Sequence, residues 1–442
     1  MQVVRAEIVA REKAELGLHD LAKATIRELA QLAQRVERAS GVPLVHMEMG
    51  VPGLVPSRIG VEAEQKALAE GCAQAYPPVG GYPELKEAVR QFVKNFIGVE
   101  VDAQACFPTA GSMQGAFAAF MVLNRCQKDR QRVLFIDPGF PVQKSQVKML
   151  GFDYDTFDFY DYRGAALAQP IRAVLEKGHT SCMVYSNPNN PSWSCFTEEE
   201  LAIIGGLSRE FDVPVLEDLA YLGMDFREDM SHPGQPPYQP TVARYCDSWC
   251  LLLSGSKIFS YAGQRIGALA VGPALFERRY DNLGNYFPNV QLGKALLYGA
   301  LYGLSSGVAS SVQHGFTALL QAANAGTYNF VADLRAYGDR AKRLKEIFLG
   351  NGFQLVYSHD GARPLADGFY FTLCYPGLAG GVLLEELLCY GVSAIALESM
   401  GSQQGSGLRA CVSHVHPAQY DELARRMAAF HADHPTTASN RQ

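Results

Sequence analysis

The chain has little that would suit nucleic acid, metal or membrane. It contains no run of lysine or arginine, and acidic residues outnumber basic ones, 45 against 39, giving a net charge of −6. Nucleic-acid binding draws on clustered basic charge to neutralise phosphates, so this balance excludes that class. The ten histidines form no His-Glu-x-x-His pattern, and His414-Val-His416 reads as strand or loop histidines rather than a ligand pair. The ten cysteines are scattered; Cys246 and Cys250 are the closest pair, at a spacing that matches no common zinc knuckle. Free, mostly buried thiols in a reducing, cytoplasmic compartment are expected. No apolar run is continuous enough for a membrane span. Residues 295–332 lack Asp, Glu, Lys and Arg, but Gln313, His314, Gln321, Asn324 and several Gly and Ser interrupt them. A long helix near 292–323, buried between domains or subunits, is the expectation. Arg5, Glu7, Arg11 and Glu12 make the N-terminal residues unlike a signal peptide. There is no internal repeat and no low-complexity tract.

What is present is ordinary globular composition: 442 residues, 48% hydrophobic and 19% charged, enough for two domains or a large domain with a satellite. The stretch Leu251–Gly267 organises the rest. Its apolar run, Leu251–Leu253, reads as a buried strand that ends in Ser254-Gly255-Ser256, with Lys257 next and Arg265 close behind. A lysine at a strand end, beside small hydroxyl residues and an arginine, suits a Schiff-base lysine with a phosphate site next to it.

In chain order, residues 21–39 have helical spacing with Asp20 as N-cap, and the residues before them form an arm or short helix packing on a partner. The cluster Gly50-Val51-Pro52-Gly53 makes a loop whose backbone can approach a ligand closely. Two helices over 61–96 flank Ala75–Tyr82. Gly111-Ser112-Met113-Gln114 opens an apolar helix, offering unpaired N–H groups and a positive dipole end to an anion. Strands then alternate with helices: 132–137, 181–186, 213–218 and 249–254, with helices near 142–150 and 197–211. This pattern means a mostly parallel sheet covered on both faces, with ligands beyond the carboxyl ends of its strands. Phe140, Asn187–Pro191, Asp218 with Tyr221, and Ser254, Ser256 and Lys257 all fall at such ends. The Pro-rich run 231–240 is a surface loop. From Asp333 the rhythm changes to a helix, strands within 353–358, 368–376, 392–399 and 408–414, and a last helix near 417–431. That is a small α+β domain, followed by a disordered tail over 436–442.

Taken together and in order, these pieces resemble the pyridoxal-phosphate aminotransferases of class I/II, the aspartate-aminotransferase-like fold type I, from about Gly50 to Met427. The resemblance implies an α/β large domain with a mostly parallel, seven-stranded type of sheet covered by helices, over 60–310. The small α+β domain and N-terminal arm then comprise 1–59 with 311–442. It implies pyridoxal 5′-phosphate as cofactor. Gly111, Ser112, Met113, Ser254, Ser256 and Arg265 match the phosphate set, and Tyr76 the tyrosine that reaches the partner subunit's phosphate. Phe140 matches the aromatic stacked on the pyridine ring. Asn190 and Tyr221 match the donors to the ring oxygen, Asp218 the partner of the ring nitrogen, and Lys257 the Schiff-base lysine that moves the proton. Arg409 matches the arginine that forks the substrate α-carboxylate, with Gly50 and Asn190 beside it. The implied partners are an amino acid, a 2-oxo acid acceptor and a second copy of the chain in a homodimer, with neither nucleic acid nor membrane. The implied reaction is amino-group transfer in a ping-pong cycle through pyridoxamine phosphate.

The chain departs from the family pattern at three places. Trp193 stands where the family's Asn-Pro-Thr-Gly motif has glycine, which is expected to reshape the loop near the cofactor. Ala396–Met400 replaces a Pro-Gly-aromatic stretch, and no arginine lies between Arg279 and Arg335, where dicarboxylate-specific relatives often hold the substrate side chain. The same fold hosts C–S lyases and β- or γ-elimination or replacement enzymes, some acting on S-adenosylmethionine-type substrates. Such a reaction, in specialised biosynthesis, stays open beside transamination on the residues alone.

Overall fold

Short apolar runs between amphipathic helices become a seven-stranded sheet in the computed structural model, which describes residues 2–435; the expected tail over 436–442 lies outside the described residues. The strands are β1 (Cys106–Thr109), β2 (Arg132–Asp137), β3 (Asp153–Asp158), β4 (Thr180–Ser186), β5 (Val215–Asp218), β6 (Trp249–Ser254) and β7 (Gly267–Val271). Their spatial order is β1-β7-β6-β5-β4-β2-β3. All neighbours run parallel except β7, which is antiparallel to both β1 and β6. Strands β4 to β7 are buried along their whole length, as a sheet covered on both faces requires. β1, β3 and β7 were not foreseen. β3 is an edge strand that reads Asp-Tyr-Asp-Thr-Phe-Asp and leaves Asp153 and Thr156 exposed, so it lacks the apolar run that marks its neighbours. The parallel register sets Ser186 opposite Asp218, and Asp218 opposite Leu252, two residues before the end of β6. The carboxyl ends of β4, β5 and β6 therefore open on one edge.

The chain divides into two compact units. The large one comprises Leu54–Asn189 and Cys195–Leu334; the small one comprises Met1–Gly53, Asn190–Ser194 and Arg335–Gln442. The large unit runs past the expected limit at 310 because of how one helix packs. Helices α1 (Arg58–Ala69), α2 (Pro83–Phe92) and α3 (Gly111–Leu123) precede α4 (Ser310–Asn324), which lies against α1 and α2. The expected continuous helix near 292–323 is broken. Ser306 and Gly307 take left-handed φ values of 53° and 120°, which end the segment 292–305 before α4 begins. In α4 the uncharged side chains Val312, Gln313, Phe316, Leu319 and Leu320 face the core, whereas Tyr298 and Tyr302 before it are exposed.

The small unit has a four-stranded antiparallel sheet, ordered β10-β11-β9-β8. The strands are β8 (Gln354–Leu355), β9 (Tyr370–Cys374), β10 (Ile395–Ala396) and β11 (Leu408–Cys411). Phe348, Phe353, Phe371 and Phe430 meet ring to ring in its core. A helix at Gly380–Cys389 was not foreseen, because its apolar run lacks helix-period polarity. The helix expected over 21–39 starts later, at Ile26–Ser40. Thr25, not Asp20, caps it, in a capping box with Glu28, and Gly41 ends it in the left-handed region. Asp20 instead accepts from the Ala22 N–H in the turn before. The first segment is a helix, Ala6–Glu15, that packs within this unit on the Ile26–Ser40 and Gly380–Cys389 helices. Thr25→Ala removes the capping acceptor and is expected to cost about 1 kcal/mol. The check is the thermal unfolding midpoint of the apo-protein; an unchanged midpoint contradicts the role of the cap.

Candidate active site

In the large unit the polar residues gather where the parallel strands end. β5 ends at Asp218, which is 7% exposed. One carboxylate oxygen accepts from Gln143 Nε2 at 2.9 Å and the other from the Ala220 N–H at 3.1 Å. Among the described residues no lysine, arginine or histidine pairs with it, and burial pushes its carboxyl up to about 6 against these two donors. The next residue back, Glu217, alternates to the other face of the strand, where it accepts from Thr241 and the Val242 N–H. Tyr221, in the turn after β5, is buried. Past the end of β6, the short helix Gly255–Ile258 carries Ser256 and the half-buried Lys257.

The loop after β2 brings in Phe140. Asp137 anchors that loop: it is fully buried, bonded to Lys144 at 2.5 Å and to Thr156, and burial still pushes it up to about 6. Phe140 immediately precedes the helix Pro141–Met149, and Gln143 sits in that helix's first turn. Thus one loop delivers both an aromatic and the amide that orients Asp218. Gln143 was not singled out from the sequence. A neutral glutamine in a helix carries no motif, and only its contact with Asp218 reveals it.

A second cluster forms at the start of α3. Gly111 has φ +70°, and a Cβ there would lie 2.5 Å from the Arg265 guanidinium. Glycine therefore answers both to the backbone conformation and to the close approach of the arginine. Arg265, itself left-handed at φ 50°, donates to Ser256 Oγ at 3.3 Å and to the Ala262 carbonyl at 3.0 Å. Ser254 Oγ accepts from the Ser256 N–H at 3.3 Å. Gly267 on β7 lets the chain pass: a Cβ there would come within 3.1 Å of the Ser112 nitrogen. The first-turn N–H groups of α3, at Gly111, Ser112 and Met113, have no intrahelical acceptor by geometry. With Arg265 and two serines beside them, they form a place for a dianion. Tyr76 stands apart from this cluster, 91% exposed in the loop before α2.

The small unit holds Arg409, on β11 between Thr372 of β9 and Ile395 of β10. It is 1% exposed. Nη1 donates to Asn190 Oδ1 at 3.1 Å and Nη2 to the Glu48 carbonyl. The guanidinium carbon lies 4.5 Å from the centroid of the Tyr370 ring, and Nε has no hydrogen-bond partner among the described residues. Gly50 follows Glu48 closely, and a Cβ on it would collide with the Tyr370 hydroxyl. Glu48 is buried at 3% exposure and carries no motif that would mark it in the sequence. Its side chain accepts from Ser393 Oγ and meets His46 Nδ1 at 2.9 Å. Burial works against its charge, yet His46 and Ser393 hold the carboxyl below the usual range, while His46 is raised by the hydrogen bond to Glu48. This pins the backbone segment whose carbonyl receives Arg409. Trp193 is wholly buried with φ 63°, a conformation that costs a non-glycine residue about 1–3 kcal/mol.

A buried carboxylate at the end of a parallel strand, a lysine past the next strand and an anion cradle at a helix start define the class. The chain belongs to the aminotransferase class I and II family, whose profile matches residues 50–427. Among its relatives, the aspartate aminotransferase of Pyrococcus horikoshii is 26% identical over 280 residues, 60% of this chain and 63% of that protein. The transaminase BacF of Bacillus subtilis is 27% identical over 251 residues, 56% of this chain and 60% of that one. The aligned part thus spans under two thirds of the length of these relatives. In fold, the chain is similar to the Thermus thermophilus aspartate aminotransferase solved with maleate, with TM-score 0.72, 19% identity and coverage of 92% of this chain and 96% of that one. Pyridoxal 5′-phosphate is the family's cofactor, and the large unit suits it. Asp218 is a buried carboxylate with no cation beside it among the described residues, which suits a protonated pyridine nitrogen, and the Gly111–Arg265 cradle suits a phosphate. No helix among the described residues is long and apolar enough to cross a membrane.

In the apo-protein a carboxyl raised from 3.8 to about 6 binds its proton more tightly folded than unfolded. Asp218 therefore lowers stability above pH 6, and that penalty disappears below pH 4. Asp218→Asn is expected to raise the apo-protein's unfolding midpoint at pH 8, by up to roughly 3 kcal/mol equivalent, and to change nothing at pH 3.5. The check is thermal unfolding of both forms at the two pH values. A loss of stability at pH 8 would contradict the burial argument.

Proposed function

We propose that the protein is a pyridoxal-phosphate-dependent aminotransferase that moves the amino group of an α-amino acid to a 2-oxo acid. The observation that carries this is Asp218: a buried carboxylate raised to about 6, with two neutral donors and, among the described residues, no cation. When bound, the cofactor supplies an aldehyde that condenses with amines and a ring that accepts electron density from the substrate Cα. Asp218 would accept the ring N–H and keep that nitrogen protonated, with Gln143 holding its orientation. Phe140 would cover the ring, and Asn190 and Tyr221 would bond its oxygen. Gly111, Ser112 and Met113, through their N–H groups, with Ser254, Ser256 and Arg265, would hold the phosphate. Lys257 would bind the cofactor covalently in the resting enzyme and, once displaced, carry the proton from the substrate Cα. Arg409 would take the substrate α-carboxylate by two parallel hydrogen bonds, which fixes the Cα–H bond for removal; Gly50 lets the backbone come close. The maleate-bound neighbour in fold supports a carboxylate site in this architecture.

We also infer a homodimer with shared sites. Tyr76, with its 91% exposure, would cross to the phosphate of the second copy. A reducing cytoplasm suits ten cysteines that are all free thiols.

The reaction is tested by incubating the cofactor-loaded protein with single amino acids. Transamination gives 2-oxo acid only up to the amount of bound cofactor, and sustained turnover begins when a 2-oxo acid acceptor is added. Sustained release of ammonia without an acceptor would overturn the proposal. Lys257→Ala is expected to lower kcat by more than about 1000-fold while the phosphate cradle still retains the cofactor, as read by its absorbance after gel filtration. Residual activity within tenfold of wild type would remove Lys257 from the assignment.

A further inference from the structure

Arg409 would have to present two parallel N–H groups at one angle, since its fork is planar and its value lies in that geometry. β11 fixes its Cα, but the guanidinium is steered by what surrounds it. Two of its supports come from one loop. Asn190–Ser194 groups with the small unit, although the chain on either side belongs to the large one. Asn190, at the loop's start, accepts from Arg409 Nη1 at 3.1 Å. Trp193, near its end, is wholly buried and meets the Tyr370 ring edge-on, centroids 6.0 Å apart at 70°. Tyr370 in turn carries the Arg409 guanidinium on its face at 4.5 Å. The indole lies over Gly368, where a Cβ would collide with its five-membered and six-membered rings alike. Small Gly368 and large Trp193 are thus one fitted pair, and Trp193 keeps its place despite a left-handed φ of 63°.

We propose that Trp193 is a positioning residue for substrate-carboxylate recognition: seated over Gly368, it holds Tyr370 and the Asn190 loop so that Arg409 is clamped from a ring face and an amide at once. This rests on the assignment of Arg409 to the substrate carboxylate. The departure from glycine at position 193 then has a purpose, to aim Arg409 rather than to reshape the cofactor's surroundings.

The test compares Trp193→Gly, Gly368→Ala and the double variant, all cofactor-loaded, in steady-state kinetics. Each single variant is expected to raise KM for the amino acid by about tenfold, with kcat within about threefold. The ratio of kcat/KM for the amino acid over the matching amine without a carboxylate should fall by the same factor, which a merely structural role would not produce. The double variant should match Trp193→Gly within about twofold, because the added methyl acts only by evicting the indole. Additive losses, or an unchanged amino-acid-to-amine ratio, would overturn the proposal. Should Trp193→Gly fail to fold, Gly368→Ala and Trp193→Phe carry the same comparison, with the phenyl ring expected to fall between the two extremes. Arg409→Lys separates the two levels. If it leaves the ratio intact, the carboxylate assignment itself is wrong. If it collapses the ratio while the Trp193 and Gly368 variants do not, only the positioning role is lost.

Discussion

The arrangement depends on one costly interaction, the burial of Asp218 without a counter-charge. A carboxylate taken out of water and given two neutral hydrogen bonds does not recover its lost hydration. Its neighbours keep it in that state. The other buried acids nearby are held differently: Asp137 has the cation Lys144 with Thr156, and Glu217, on the opposite face of β5, has Thr241 and the Val242 amide. Asp218 has Gln143 and a turn N–H. A cationic ring nitrogen would supply the missing charge, and the same electrostatics then favour the electron-poor ring that proton removal needs. Parallel strands make this possible. They bring Asp218 on β5, Ser254 on β6 and the loop after β2 to one edge without a long connection at the site.

The small unit solves a different problem, how to aim a buried arginine. Arg409 meets a carbonyl, an amide oxygen and an aromatic face, none of which is an anion. The acid near it, Glu48, has its side chain turned to His46 and Ser393 and offers Arg409 only its backbone. On the proposed assignment, a substrate carboxylate would therefore meet no competing anion at the guanidinium among the described residues.

Much of this was legible in the sequence, and the limits have physical causes. β2 and β6 were read at their full extents, because a continuous β-rich apolar run between polar loops suits a buried strand and little else. β3 was missed because an edge strand tolerates Asp and Thr at its outward positions. The helix before α4 was read as one with it, since absence of charge says nothing of a left-handed serine and glycine at 306 and 307. Among the candidate residues, Lys257 and Asp218 were visible as charged residues at the ends of apolar strands, and Arg409 only through the family resemblance. Gln143, Glu48 and Tyr370 were not, because each acts through a contact that only the fold creates. Trp193 departs visibly from the family motif, but its partner Gly368 carries no sequence signal, because only the fold brings the indole onto the place its Cβ would take.

On the proposed assignment, Asp218 pairs with a cation once the cofactor is bound. This pairing is most directly measured by carbon-13 NMR of the aspartate carboxyl carbons, with the Asp218→Asn protein used to assign the signal. In the apo-protein the Asp218 carboxyl should titrate with a midpoint near 6. On loading with pyridoxal phosphate it should remain ionised well below that pH. A signal that titrates alike with and without the cofactor would contradict the claim.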